Sequence, residues 1–322
     1  LYDREGVAAV LSRDPGAATR PMGVRRPILH LAFSRHIHGD GTEADMLAVA
    51  EVLVAYGAEA DDSYPAEPGS DYRLSALYGA VGHADNMALA RWLLERGANP
   101  NDGESLYHAT ELGHLDGLRL LLAHGARPEG TNALPRALDF DDIGAVTLLL
   151  KAGADPNEGI AWPETSGEAP RVIPALHQAA RRISSPEIVA LLLDHGADPK
   201  ARYDDLTPYE LARVYGHREM AELIEARGGA VPLTPEIAQL ARAADDAVRP
   251  DDRIDMGRLP GELSRLLTRL VWREGTLSHI ERLVRIGFDT NAVDEMGLTP
   301  LHLAGWEGLP EKFAFFLRQS PD

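Results

Sequence analysis

The chain has 322 residues, 44% of them hydrophobic, no cysteine and a formal net charge of -18. It is long enough to bury an extended core, cannot use disulfides, and contains no apolar run approaching the roughly 20 residues that span a bilayer. The acidic balance excludes duplex DNA and anionic lipid as general ligands, because binding to phosphates depends on Lys and Arg displacing counterions. Its plainest reading is solubility for a large surface, and the expected location is a reducing one, the cytoplasm. Because the first residue is Leu1 and not Met, the native start is expected to lie upstream.

In chain order, Arg4-Glu5-Gly6 reads as a turn followed by a helix carrying Val7, Val10 and Leu11, so Leu1 to Gly23 is an incomplete helical unit. Pro27 to Ala32 opens a second unit, 24–60, whose polar stretch SRHIHGDGTEAD precedes a helix with Met46, Leu47, Val49, Ala50, Leu53 and Val54. Residues 103–130 form the cleanest unit. Leu106 and Ala109 mark a short first helix, Gly113-His114 a turn, and Leu118, Leu121 and Leu122 a second helix that Gly125 ends. Neither helix can bury its stripe alone, so neighbouring units must cover it. Glycines at 57, 97, 125, 153, 196, 228 and 287 each close such a helix, as a residue free to take the left-handed conformation does. Thr234-Pro235 starts a helix with Ile237, Leu240, Ala241 and Ala244, and the stretch after it, DDAVRPDDRIDMGRLPGE, lacks an apolar face. Helical spacing returns at Leu263, Leu266, Leu267, Leu270 and Val271, passes a turn at Glu274-Gly275, and resumes at Ile280, Leu283 and Val284. A final unit from Leu298 ends in Phe313, Phe315, Phe316 and Leu317. Three Phe within one turn cannot all face the preceding unit, so the chain is expected to continue past Asp322, or this end to be covered by a second chain.

These units resemble ankyrin repeats. Thr299-Pro300-Leu301-His302-Leu303-Ala304 matches the family's opening motif, Pro27 to Ala32 and Ile173 to Ala180 are close relatives of it, and Thr207-Pro208 with Gly216-His217 is another. The endings Gly97-Ala98-Asn99, Gly153-Ala154-Asp155 and Gly196-Ala197-Asp198 match the family's close. The resemblance implies an all-α solenoid of stacked helix-turn-helix units with β-turn fingers, of roughly nine units here. Against the family's period of about 33 residues, the long intervals between closing glycines place extra residues at 59–73 and 155–172, which read as enlarged fingers. The expected organisation is a repeat array over 1–230 with an incomplete first unit, a degenerate repeat or joint over 231–259, and further repeats over 260–322 with an incomplete last unit.

The resemblance also assigns roles. His30, His177 and His302 stand where the family's imidazole hydrogen-bonds loop backbone, His114 and His217 occupy the mid-unit turn, and His124 and His195 precede closing glycines. His36 and His38, with Asp40 nearby, lie outside the consensus and are metal candidates, although two histidines on a glycine-containing loop lack the rigid further ligands of a stable site. No nucleophile elbow, phosphate loop, dinucleotide fingerprint or zinc-protease motif occurs, and neither a metal nor a cofactor is expected. What remains is recognition. The concave-face positions of the family fall here on Arg35, Glu111, Asp139 and Phe140, then on Arg181, Arg182, Tyr215, Arg273 and Trp306; the enlarged fingers add Tyr64, Tyr72 and Trp162. Aromatic and Arg side chains are the usual anchors of interfaces. The expectation is a non-enzymatic scaffold that binds a protein partner through the concave face and long fingers, with self-association through the C-terminal end. The alternative is an enzyme or small-molecule binder whose site those same elements would wall.

Overall fold

The computed structural model describes residues 2–158, 173–294 and 296–319. It separates into two compact units, Leu1–Val172 and Ile173–Asp322.

Unit 1 holds α1 (Arg4–Arg13), α2 (Pro27–Ala32), α3 (Glu43–Ala55), β1 (Ser63–Pro65), β2 (Arg73–Ser75), α4 (Ala76–Tyr78), α5 (Met87–Glu95), α6 (Ser105–His108), α7 (Asp116–Ala123), α8 (Ala133–Asp139) and α9 (Ile143–Lys151). The short helices α2, α4, α6 and α8 pack side by side in one row, and α3, α5, α7 and α9 form a second row behind them. Helices of three to seven residues are marginal alone; here each exists because its leucine and alanine are buried between the rows. Leu77, Leu106, Leu134 and Leu138 in the first row and Leu89, Leu93, Leu118, Leu121 and Leu149 in the second are essentially inaccessible, each contributing about 2 kcal/mol of burial. Side-chain caps set the starts: Thr42 accepts from the Asp45 amide at 3.1 Å and Asp142 from the Ala145 amide at 3.0 Å. The closing glycines set the ends, with φ of 95° at Gly57 and 92° at Gly97.

Two expectations for unit 1 need correction. Arg4-Glu5-Gly6 is not a turn but the first turn of α1, because the Asp3 carboxylate accepts from the Gly6 amide at 2.9 Å and caps the helix there. The stretch after α2 is not a plain loop either: residues 35–38 form a 3-10 turn capped by Ser34. The long finger over 59–73 is closed by an antiparallel pairing of β1 and β2 in the register Ser63↔Ser75, Tyr64↔Leu74, Pro65↔Arg73. The second long finger, 155–172, lies mostly outside the described residues.

Unit 2 holds α10 (Ala175–Arg182), α11 (Pro186–Asp194), α12 (Pro208–Tyr215), α13 (Arg218–Ala226), α14 (Pro235–Ala244), α15 (Gly261–Ser264), α16 (Leu266–Val271), α17 (Leu277–Arg285), α18 (Pro300–Trp306) and α19 (Pro310–Arg318). Thr207 and Glu210 make a reciprocal capping box at the start of α12, and Thr234 caps α14 by accepting from the Ile237 amide. α14 packs on α12 and then on α17, with no helix of its own between; its buried stripe is Ile237, Leu240, Ala241 and Ala243, the last in place of Ala244. The apolar-poor segment after it is held by polar contacts. The buried Asp252 carboxylate accepts from Arg242 Nε at 3.0 Å and from the Arg249 amide at 2.8 Å, and the Ile254 amide donates to the Ile286 carbonyl at 2.8 Å. At the last pair of helices Phe315 and Phe316 are buried while Phe313 lies half-exposed against Gly305. One ring of the three does face outward.

The consensus histidines tie turns together. His177 Nε2 lies 3.0 Å from the Leu206 carbonyl of the next unit and His30 Nε2 lies 3.0 Å from the Met22 carbonyl, whereas His302 turns back on its own cap, 2.8 Å from Thr299 Oγ1. His114 reaches Asp85 of the preceding turn, His217 reaches the Ser184 carbonyl, and His124 and His195 bond the carbonyls of Leu120 and Leu191.

Candidate functional site

The first row of unit 1 carries a continuous ladder of rings and cations, buried at Phe33 and Tyr64 and half-exposed at Phe140. Tyr64 on β1 meets Phe33 just after α2 at 5.6 Å between centroids, Phe33 meets Tyr78 at the end of α4 at 5.7 Å, and Tyr78 meets His108 on α6 at 4.8 Å. His108 stands edge-on to Tyr107 at 5.0 Å; the Arg136 guanidinium of α8 then lies 5.5 Å from the Tyr107 ring and 4.8 Å from Phe140. At the other end Arg25 sits over both Phe33, at 4.1 Å, and Tyr64, at 4.7 Å, and donates to the Tyr64 hydroxyl at 2.6 Å. Ring quadrupoles favour such alternation of edges, faces and cations.

Two glycines admit the ladder. A Cβ at Gly79 would collide with the Phe33 ring, and one at Gly82 would stand 2.6 Å from the Cβ of His108. Both lie in a π-helical turn over Gly79–His83 that extends α4.

Carboxylates line the ladder. His108 lies between Glu104, 3.1 Å from its Nε2, and Glu111, 2.7 Å from its Nδ1. Arg136 joins Glu111, at 2.8 Å through Nε and 2.6 Å through Nη2, to Asp139 at 2.9 Å. Burial disfavours the charged imidazole of His108, but its bonds to Glu104 and Glu111 outweigh this and hold its pKa above the ordinary value. Burial likewise acts upward on Glu111, and the His108 and Arg136 charges overcome it and lower its pKa. The Tyr72 phenol is pushed up by burial and by its hydrogen bond to Glu104. Chemically, both nitrogens of His108 are engaged by carboxylates. The group is a charged surface braced from within, with Tyr72 49% and Phe140 50% exposed at its margins.

Of the residues singled out from sequence, Glu111, Asp139 and Phe140 therefore meet in this ladder, and Tyr72 joins it through Glu104. Tyr64 joins it too but is only 6% exposed, filled in against Arg25 and Phe33, so it braces the finger base. Arg35 donates to the His83 carbonyl at 3.0 Å. His36 packs against the Tyr2 ring at 4.9 Å and His38 Nε2 lies 2.5 Å from the Ala84 carbonyl; among the described residues no group of three or more His, Cys, Asp or Glu is placed to hold a metal. Trp162 lies outside the described residues. Sequence reasoning missed Tyr78, Tyr107, His108 and Arg136. A signal existed: Tyr78 and Tyr107 follow the opening leucine of their units, where histidine stands in Leu29-His30, Leu176-His177 and Leu301-His302.

In unit 2 the corresponding positions are spent on the chain itself. Arg181 Nε lies 2.9 Å from Glu262 Oε1, and the Tyr215 hydroxyl donates to the same oxygen at 3.1 Å. The Glu262 amide donates to Asp204 at 2.6 Å. Arg273 donates to the carbonyls of Arg181 and Arg182, closing off the end of α10. Arg181 and Glu262 are 13% and 9% exposed, and burial, with the neighbouring Arg182 charge second, lowers the Arg273 pKa to about 10. Lys312 is buried as well, donating to the Val271 carbonyl at 2.6 Å at the end of α16. Trp306, by contrast, is 76% exposed.

The fold and this distribution of side chains define an all-α repeat protein without a recognisable catalytic set among the described residues. Residues 77–159 match the model of the family described as ankyrin repeats in three copies, and residues 174–204 that of a single ankyrin repeat. These two segments are ankyrin repeats, a repeat that generally serves protein–protein interaction. Among solved structures it is similar to an ankyrin repeat domain from Acinetobacter baumannii AYE, at 26% identity over 63% of this chain and 97% of that one, with a TM-score of 0.47. It is also similar to the ankyrin repeat domain of Bcl-3, a member of the IκB family, at 19% identity over 92% of this chain and 100% of that one, with a TM-score of 0.46. No curated protein matches it significantly. Among the described residues no helix is long and apolar enough to cross a membrane.

Proposed function

We propose that the protein is a non-catalytic scaffold of the cytoplasm that binds a protein partner through the first-helix row and long fingers of unit 1. One observation carries this reading: Tyr72 and Phe140 stand half in solvent on a ladder braced from behind, whereas Arg181, Tyr215 and Arg273 of unit 2 are consumed by internal contacts. A rigid aromatic anchor costs little entropy on binding, which is what makes a hot spot. Affinity capture with mass spectrometry should recover a partner with the full chain and lose it with Tyr72→Ala and Phe140→Ala, each costing at least about 2 kcal/mol of affinity. A partner kept by both variants but lost on Trp306→Ala would move the recognition face to unit 2 and sink the assignment.

The exposed Trp306, Phe313 and Leu317 of the last helix pair support a separate contact, self-association through that end. Sedimentation of the full chain at micromolar concentration should show dimers that Trp306→Ala and Leu317→Ala abolish. A monomer throughout would remove this contact.

A further inference from the structure

We propose that unit 2 contains a conformational latch: docking of α19 is passed through Lys312 and Arg273 to a strained turn after α10, which keeps its form only while α19 is in place. The turn breaks a pattern that the rest of unit 2 follows. After α12, α16 and α18 the left-handed residue at the turn is Gly216, Gly275 or Gly308, and after α14 it is Asp246. After α10 it is Ile183, at φ 54° and ψ 48°. A β-branched side chain crowds the neighbouring backbone in that region, whereas glycine does not. The next residue adds a second local fault: Ser184 is buried, and its Oγ has no hydrogen-bond partner among the described residues. Faults of this kind persist only where surrounding contacts over-determine them.

The contacts that do so come from far along the chain. The last four carbonyls of α10 have no partner inside the helix. Those of Ala179 and Ala180 accept from the turn's own amides, Ser184 at 3.0 Å and Ile183 at 3.3 Å. The other two, on Arg181 and Arg182, accept from the Arg273 guanidinium. Left to itself Arg273 would not stay there, since burial and the adjacent Arg182 charge both disfavour its cation. It is held from behind. Lys312 of α19 is buried, and its Nζ donates to the Val271 carbonyl at 2.6 Å and to the carbonyl of Arg273 itself. Thr276 Oγ1 donates to the same Arg273 carbonyl at 2.9 Å from within the local turn, so Lys312 is the tie that comes from another helix. Thus α19 fixes the Arg273 backbone, the Arg273 side chain fixes the end of α10, and Ile183 is the two-state element that both of them bias. With either tie cut, Ile183 leaves the left-handed region, and its amide and that of Ser184 open to water. His217, 2.7 Å from the Ser184 carbonyl, still holds the far side of the turn and confines the opening.

The test is hydrogen exchange of the full chain read by mass spectrometry over 179–185, with α13 as the reference for global opening. Lys312→Met keeps the length of the side chain and removes its donor. It should speed exchange over 179–185 about tenfold while α13 is unchanged, and Arg273→Met should do the same. The double variant should be no faster than either alone, because the two residues act in series. Adding Ile183→Gly to either variant should return exchange to within about twofold of the unaltered chain, since glycine holds the left-handed conformation unaided. A merely structural loss would not be repaired at that position. Acceleration confined to α16–α19, acceleration shared by α13, effects of the two substitutions that multiply, or no rescue by Ile183→Gly would each overturn the latch. Should Lys312→Met fail to fold, Ile183→Gly alone decides the matter: relief of strain raises the melting temperature, whereas a fall makes Ile183 a packing residue and overturns the proposal as well.

Discussion

Unit 1 and unit 2 place the same kinds of residue at matching positions of their repeats and put them to opposite uses. In unit 1 arginine, histidine and carboxylates stack sideways along the first-helix row, from Arg25 to Phe140, and leave Phe140 half-exposed at its end. In unit 2 they point onto Gly261–Arg273, where Glu262 gathers Arg181 and Tyr215. The cause is visible in the chain. After α14 the chain runs through a segment that brings Glu262 of α15 onto the end of α12 and Arg273, just after α16, onto the end of α10. Leu263, Leu266, Leu267 and Leu270 are fully buried there. First-helix positions that stand at the surface in unit 1 are thus covered in unit 2.

The comparison is broken most directly at Glu262. Glu262→Ala leaves Arg181 and Tyr215 buried without their acceptor and should cost about 3 to 5 kcal/mol in urea unfolding, whereas Glu111→Ala in the more exposed cluster of unit 1 should cost about 1 kcal/mol. Equal losses would mean that the two networks do not differ in burial as described.

Acid should separate the units next. Burial holds His177 and His279 in unit 2 at about 4, and for His279 the Arg282 charge adds to it. Their folded values lie below the ordinary 6.5, so the stability linked to keeping them neutral is complete above that value and is lost as pH falls toward 4. At pH 5 each should have given up about 2 kcal/mol. His108 in unit 1 has a raised value; its contribution is complete below 6.5 and is lost as pH rises through the folded value. Imidazole proton shifts followed by NMR should show His108 titrating above the other two. A normal titration for His177 would remove the acid sensitivity assigned to unit 2.

Smaller effects sharpen the ladder itself. Gly79→Ala forces Phe33 out of its place and should cost about 1 to 3 kcal/mol by overpacking, with loss of the near-ultraviolet circular dichroism from Phe33, Tyr64 and Tyr78. An unchanged spectrum would mean the ring has room to yield. Smallest of all, Phe140→Leu and Tyr72→Leu should change stability by no more than about 0.5 kcal/mol. A larger loss on thermal melting would make these rings packing residues rather than a surface.

Much of this was legible in the residues alone. The leucine stripes, the capping Thr234 and Thr207, and the glycines that end each second helix depend on neighbours a few positions away, so periodicity and local chemistry determine them. Glu111, Asp139 and Phe140 can be placed on the first-helix face for the same reason: position within a repeat is a local property. What the tertiary structure decided is which of these positions face solvent. Tyr64 went inward because Arg25, 39 positions earlier, stacks on it. Arg181 and Tyr215 went inward because Glu262 and Arg273, up to 92 positions later, fold over them. A repeat motif states that a side chain lies on the first-helix face, but whether that face meets water or another segment depends on where the chain travels after the pattern breaks. No local spacing records that path, because the contacts that fix it join Glu262 and Arg273 to Tyr215, Arg181 and Arg182, far back in the chain.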